Sequence, residues 1–120
     1  MGYLQYEKLR ITPEGLAFIV ATRDILERFD VDEGETEGLV NIPLSIDRVK
    51  MSILLKEEKD HFRVSIRSKK GFSARACAMA HFHGGGHENA SGGKLWWPAD
   101  IPGPEAADAY LEQVSRACLS

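Results

Sequence analysis

Apolar and polar residues alternate along two neighbouring segments in the middle of the chain. In the first, apolar residues occupy every second position from Val49 to Leu55. In the second, Phe62, Val64 and Ile66 alternate with a polar row of His61, Arg63, Ser65 and Arg67. Because successive side chains of a strand point to opposite faces, this pattern predicts two adjacent strands. One face belongs to the core, and the other carries two guanidinium groups.

Turn and capping residues predict the elements on either side of these strands. Proline and glycine between Thr12 and Gly15 are placed for a tight turn, which predicts a hairpin between the segment ending near Ile11 and the apolar segment 16–21. Short helices are expected after Thr22 and over residues 36–42. Ser73 is placed to cap a small-residue helix that reaches about residue 82. Residues 95–97 predict a final strand, and residue 104 begins an amphipathic helix.

These elements predict an α/β fold. We expect a single domain over residues 1–120, with a mixed β-sheet of about five strands flanked by helices. A chain of 120 residues is long enough for one sizeable core and too short for two. No apolar run approaches the roughly 20 residues that span a bilayer, and the chain does not open on a secretory signal. Cys77 and Cys118 form no motif, so we expect reduced thiols in a cytoplasmic protein with no membrane partner.

Charge is distributed unevenly along the chain. The net charge of −3 argues against the broad basic surface of a protein that coats nucleic acid. Five basic residues nevertheless lie close together, namely Arg63, Arg67, Lys69, Lys70 and Arg75. This block leads into His81-Phe-His-Gly-Gly-Gly-His-Glu-Asn-Ala-Ser-Gly-Gly93, whose three consecutive glycines surrender much backbone entropy on folding. Such a run predicts that something approaches the backbone closely.

Two familiar sites fit this segment poorly. His81, His83, His87 and Glu88 are ligand types suited to zinc, but the flexible glycines fix no tetrahedral geometry, so we predict no metal site. A Walker-type phosphate loop fails because Leu95 stands after Gly93-Lys94, where the motif requires serine or threonine.

An anion cradle fits the segment better. Successive backbone amides without side chains can line a concavity for phosphate, while histidine and arginine provide charge-assisted hydrogen bonds. The alternative is a sharp helix-to-strand turn, which one glycine usually accomplishes. A turn alone therefore leaves two of the three glycines unexplained.

The segment Phe62-Arg-Val-Ser-Ile-Arg-Ser68 and the motif that begins at Gly84 resemble a known family. They are similar to the C-terminal substrate-binding domain of the Asp-His-His phosphoesterases, in the nanoRNase and 3′-phosphoadenosine-5′-phosphate (pAp) phosphatase branch. The resemblance implies that Arg67 and Ser68 contact the substrate. It also implies a phosphate-binding loop formed by Gly84, Gly85, Gly86 and His87, braced by a turn that begins at Asn89.

The family implies a larger protein than this chain. An N-terminal catalytic domain of the same protein would bind Mn²⁺ or Mg²⁺ and hydrolyse the phosphodiester, while this domain would hold a short single-stranded oligonucleotide or a nucleotide phosphate. The metal-binding Asp-His-His motif does not occur in these 120 residues, so the resemblance implies no catalytic residue and no metal ligand here. Short RNA, single-stranded DNA, a cyclic dinucleotide and pAp remain open as substrates. A homodimer of the parent protein remains open as well.

Other functions are compatible with the same residues. An RNA-binding accessory domain is one alternative, because alanyl-tRNA synthetases end in a related domain. An autonomous zinc-dependent hydrolase is another. Trp96 and Trp97 could stack nucleobases, although packing in the core or at a seam between domains is the commoner role of aromatics beside a strand.

Overall fold

The computed structural model describes residues 10–21 and 46–119. Its six strands are β1 (Arg10–Ile11), β2 (Leu16–Ala21), β3 (Met51–Glu57), β4 (His61–Ser68), β5 (Gly85–His87) and β6 (Ala90–Trp96). Its helices are α1 (Ala74–His81), a short 3₁₀ helix (Pro104–Ala106) and α2 (Ala107–Leu119). The helices expected after residue 22 and over residues 36–42 lie outside the described residues.

The strands form one mixed sheet in the order β1-β2-β3-β4-β6-β5. Strands β2 and β3 are parallel, and every other neighbouring pair is antiparallel. The predicted α/β class is confirmed, with six strands in the described residues where about five were expected. The hairpin across the 12–15 turn is also confirmed, since Thr12 N donates to Leu16 O at 2.8 Å and Ile11 pairs with Ala17.

The alternation in β3 and β4 divides the sheet into two faces. Ile53 pairs with Ile66, and Leu55 pairs with Val64, so their side chains share one face. These residues are buried in a cluster that includes Phe62 and residues of both α1 and α2. The two helices therefore cover this face of the sheet. The polar row of β4 lies on the opposite face, as its alternation predicted.

Helix α1 begins and ends where the sequence indicated. The Ser73 hydroxyl accepts a hydrogen bond from Ala76 N at 3.0 Å, which satisfies one of the unpaired amides of the first turn. Ala74, Cys77 and Ala78 are buried, and their small side chains let the helix pack closely on the sheet.

Helix α2 packs beside α1 through an apolar stripe that includes Leu111 and Val114. The Tyr110 hydroxyl donates to His81 O at 2.6 Å, which ties α2 to the last turn of α1. Cys77 and Cys118 are both free thiols, and their sulfur atoms lie 3.1 Å apart. The hydrogen bond from the Cys118 thiol and, after it, burial raise the pKa of Cys77, so this side chain is protonated at neutral pH. No helix in the described part of the chain has the length and apolar character needed to cross a membrane.

Candidate anion-binding cleft

The glycine-rich segment forms a β-hairpin at the edge of the sheet. Gly85 pairs with Gly92 and His87 with Ala90, and Glu88 and Asn89 form the turn between them. The final strand therefore begins five residues before Leu95, the first residue expected in it, and Trp97 lies in the turn that follows. Gly85 and Gly86 are therefore part of the sheet, and Gly84 directly precedes β5.

The structure places different constraints on the three consecutive glycines. A β-carbon on Gly84 would lie 1.9 Å from Gly92 O, so the chain's own packing excludes a side chain there. Gly86 has a φ of +144°, a conformation that residues with side chains rarely adopt. A β-carbon on Gly85 would meet nothing closer than Met79 Cγ at 3.9 Å. The fold thus accounts for Gly84 and Gly86 and leaves room for a side chain at Gly85.

Strand register gathers basic side chains on the polar face of the sheet. Arg67 pairs with Ala90, Ser65 with Gly92, and Arg63 with Lys94. Directly paired residues of antiparallel strands share a face, so these pairs place Arg63, Arg67 and Lys94 on the same surface. They line a cleft of about 660 Å³ whose floor includes Ser65, Gly85, Ala90 and Gly92. The small floor residues leave room between the cations.

The cleft is cationic although the chain as a whole has a net charge of −3. Arg63 and Lys94 are exposed, and Arg67 is half-buried at the opposite end of the same strand pair. His87 lies on the exposed edge strand in line with Ala90 and Arg67. Arginine guanidinium groups bind phosphate through a planar fork, so this surface suits a phosphate-bearing ligand.

The Ser68 hydroxyl forms three hydrogen bonds within the protein. It donates to Phe72 O at 2.6 Å, and it accepts from Asn89 Nδ2 at 3.0 Å and from Ala74 N at 3.3 Å. Asn89 Nδ2 also lies 3.1 Å from Lys69 O. This network joins the end of β4 to the start of α1 and to the β5–β6 turn. Ser68 is buried, and neither it nor Asn89 lines the cleft.

The N-terminus of α1 is occupied by the turn of the hairpin. Ala74 N donates to Glu88 O at 2.8 Å, and the Ser73 hydroxyl donates to the Glu88 carboxylate. A carboxylate near the first turn of a helix is favoured by the helix dipole. The Glu88 carboxylate therefore already offsets the positive end of the α1 dipole. The cleft lies on the other side of the hairpin.

His83 and Asp100 form a hydrogen-bonded pair at the rim of the cleft. His83 lines the cleft, and its Nε2 atom lies 2.8 Å from Asp100 Oδ1. Burial raises the pKa of Asp100, but the hydrogen bonds from His83 and from the Trp96 amide outweigh it and hold this pKa below its usual value. Asp100 is therefore ionised at neutral pH, and it joins His83 to the end of β6.

Sequence reasoning found part of this cleft. Among the expected site residues, Arg67 and Gly85 line it. His87 does not line the cleft, but it pairs with Ala90, which in turn pairs with Arg67. The remaining four support the surrounding backbone, namely Ser68, Gly84, Gly86 and Asn89. Lys69, a member of the basic block, does not line the cleft, and its ammonium donates to Ile46 O at 2.8 Å. Lys94 was missed. Continuing the alternation backwards from Leu95 would have placed Lys94 on the polar face of the final strand, but its position beside Arg63 follows only from the pairing of β4 with β6.

Two other arrangements in the described residues help to judge the cleft. A groove of about 530 Å³ lies between residues 100–102, the end of α1 and α2, and no lysine or arginine lines it. Within residues 10–21 and 46–119, no three His, Cys, Asp or Glu side chains come together as a metal site would require. The described residues therefore include a cationic cleft, and no group of His, Cys, Asp or Glu side chains among them is arranged as a metal site.

The fold and this cleft define a small α/β domain with a basic sheet face beside a glycine-built hairpin. The model of the DHHA1 domain family matches residues 15–118. The chain is 38% identical over 109 residues to the "Probable bifunctional oligoribonuclease and PAP phosphatase NrnA" of Streptococcus mutans serotype c (strain ATCC 700610 / UA159). That match covers 89% of this chain and 33% of the relative. The chain belongs to the DHHA1 domain family, in the nanoRNase and PAP phosphatase branch.

Solved structures share this fold. An exopolyphosphatase-related protein from Bacteroides fragilis superposes with a TM-score of 0.82 at 34% identity, covering 97% of this chain and 33% of that one. The C-Ala domain of Aquifex aeolicus alanyl-tRNA synthetase superposes with a TM-score of 0.55 at 18% identity, covering 89% of this chain and 96% of that one. The second likeness shows a shared fold alone. The chain spans about a third of the length of the curated relative and of the first of these structures.

Proposed function

We propose that this chain is the substrate-holding module of a metal-dependent phosphoesterase of the oligoribonuclease and PAP phosphatase type. Its ligand is a nucleotide phosphate or a short single-stranded oligonucleotide. The observation that carries the proposal is the cleft in which strand register gathers Arg63, Arg67 and Lys94 around a floor of small residues. The relative from Streptococcus mutans, named as an oligoribonuclease and PAP phosphatase, supports this choice of ligand.

In this proposal, the residues around the cleft divide into ligand contacts and supports. Arg67 offers a planar fork to a phosphate, and His87 adds a donor at the same end of the cleft. Gly85 keeps the strand edge bare so that the phosphate can approach its backbone. Ser68 and Asn89 hold the β4–α1 connection and the hairpin turn in position through the hydrogen bonds of the Ser68 hydroxyl. Gly84 and Gly86 let the backbone of the hairpin pack against β6.

The chemistry of hydrolysis is assigned to another part of the proposed enzyme. Phosphodiester hydrolysis assisted by Mn²⁺ or Mg²⁺ needs clustered carboxylates and histidines. The described residues contain no such cluster, so an N-terminal catalytic domain of the same protein would supply it. On this proposal the chain alone binds ligand without cleaving it, and the protein works in the cytoplasm.

Replacing Arg67 by lysine tests the phosphate contact while keeping the charge. An ammonium cannot reproduce a two-pronged guanidinium contact, so Arg67→Lys should weaken binding of a 5′-phosphorylated dinucleotide by on the order of 1 to 3 kcal/mol. Isothermal titration calorimetry at fixed ionic strength measures the change. Arg10→Lys is the matched control, since Arg10 pairs with Asp108 and lies on β1, at the opposite edge of the sheet. Equal affinities of the two variants would contradict the assignment of the phosphate to this cleft.

A further inference from the structure

Trp96 lies at the end of the cleft farthest from Arg67. It is the last residue of β6, it pairs with His61, and it lines the cleft. Its ring packs against the His61 ring at a centroid distance of 4.5 Å, and the Lys94 ammonium lies 5.4 Å from its centre. Trp96 is only partly buried. A large aromatic surface therefore stands beside the cations at one end of this cleft.

The backbone of Trp96 is held firmly in place. Its amide donates to Asp100 Oδ2 at 2.8 Å, and its carbonyl accepts from the amides of Asp100 at 2.9 Å and Ile101 at 3.2 Å. The other carboxylate oxygen of Asp100 is bonded to His83. Asp100 thus links one rim of the cleft to the end of β6. Since the backbone of Trp96 is held here and its ring packs against His61, the ring loses little conformational entropy when a ligand stacks on it.

The spacing along β6 separates two parts of the cleft. Ala90 pairs with Arg67, and Trp96 lies six residues further along the same strand. At roughly 3.3 Å per residue, the two ends are about 20 Å apart. Arg63 and Lys94 lie between them. The cleft is therefore long enough for a ligand that presents phosphate at one end and a different chemical group at the other.

The neighbouring Trp97 has a different environment. Its ring packs edge-on against Phe62, with centroids 5.1 Å apart, and it belongs to the margin of the hydrophobic core. Trp97 does not line the cleft. The two tryptophans, which the sequence left with the same alternatives, thus separate into one core residue and one residue of the cleft.

We propose that Trp96 is a nucleobase-stacking subsite, so that the cleft selects ligands that carry a base over inorganic phosphate chains. The proposal rests on the phosphate-binding function proposed above. Bases stack on protein aromatics without regard to sequence because every base has a π face. A base on Trp96 displaces the exposed Lys94 ammonium from the ring. That ammonium, on its flexible stem, stays within reach of the phosphates in the middle of the cleft.

Two ligands that differ only in their bases test the subsite. One is a 5′-phosphorylated diadenosine, and the other has the same sugar–phosphate backbone with both bases removed. The parent chain should bind the base-bearing ligand about 5- to 150-fold more tightly, the range expected for stacking of one base. Trp96→Leu should remove this preference, so that the base-bearing ligand binds no more tightly than the abasic ligand. Trp96→Phe should restore part of it, because a smaller aromatic surface remains.

Fluorescence gives a second readout on the same ring. The chain has two tryptophans, so Trp97→Phe leaves Trp96 as the sole indole while keeping an aromatic ring against Phe62. In this variant the base-bearing ligand should quench the emission, and the abasic ligand or inorganic tripolyphosphate should not. Thermal melting of each variant checks that the fold is retained.

The outcomes separate this subsite from the phosphate-binding function. Equal binding of the two dinucleotide ligands by the parent, or an equal loss of both in Trp96→Leu, overturns the subsite and leaves phosphate binding standing. If neither ligand binds at millimolar concentration, the phosphate-binding function fails and the subsite fails with it. A preference for the base-bearing ligand that depends on Trp96 supports both.

Discussion

Ser68 illustrates how a residue can belong to a binding motif without facing the ligand. The resemblance implied a contact between Ser68 and the substrate, and the side chain stands directly after Arg67, which lines the cleft. Alternation along β4 turns Ser68 to the opposite face, where its hydroxyl serves three partners. The sequence could show that a polar residue belongs at this position. It could not show the partners, because they come from α1 and from the hairpin turn.

Removal of the Ser68 hydroxyl should therefore reduce stability. In Ser68→Ala, the Asn89 side-chain amide and the Ala74 backbone amide each lose one of their acceptors, and Phe72 O loses the hydroxyl donor. The expected loss of unfolding free energy is about 1–3 kcal/mol. Urea unfolding followed by circular dichroism measures it. Ser65 lies three residues earlier on β4 and faces the cleft, so Ser65→Ala should change the unfolding free energy much less. Equal stability of the two variants would contradict the positioning role of Ser68.

The sequence predicted well the elements in which buried residues recur at a regular interval along the chain. Strands β3 and β4 were visible from their alternation, and α1 from its Ser73 cap and small residues. The β5–β6 hairpin was not visible, because Gly84 to Gly86 and Gly92 to Gly93 have no side chains to alternate. Its pairing depends instead on close backbone approach, which only the folded chain displays. Hence Lys94, whose place in the cleft follows from that pairing, was missed as well.

Adjacent glycines in this hairpin should respond differently to alanine. Gly84→Ala places a β-carbon against Gly92 O and should lower the unfolding free energy by about 1–3 kcal/mol or more, as overpacking does. Gly85→Ala has room and no positive φ, so its stability should change by about 1 kcal/mol or less.

Gly85→Ala should have a larger effect on ligand binding than on stability. Gly85→Ala should weaken binding of a phosphorylated dinucleotide, because its methyl group obstructs approach to the strand edge. Thermal melting and calorimetric titration of both variants separate the two effects. If Gly85→Ala binds as the parent does, the bare backbone at that position serves no ligand.

At the scale of the whole molecule, the residues of the cationic cleft occupy a small part of one face of the sheet. The helices α1 and α2 cover the opposite face. The strands β4, β5 and β6 bring Arg63, Arg67, Lys94 and Gly85 together, although α1 separates β4 from the β5–β6 hairpin in the sequence. The net charge of −3 gives no sign of this, since it averages over the chain. The short range of screened electrostatics, about 10 Å at moderate salt, lets such a local cluster attract an anion despite the overall charge.

A titration of the chain with a 5′-phosphorylated dinucleotide, followed by two-dimensional amide NMR, tests this central claim most directly. We expect the largest shift changes along the cleft, in the amides of Arg63, Arg67, Gly85, Ala90, Gly92 and Lys94. The groove beside Tyr110 and Val114, which no lysine or arginine lines, should remain unchanged and provides the internal control. Saturable shifts confined to the cleft are the predicted result. Shifts confined to that groove, or no shifts at millimolar ligand, would contradict the account.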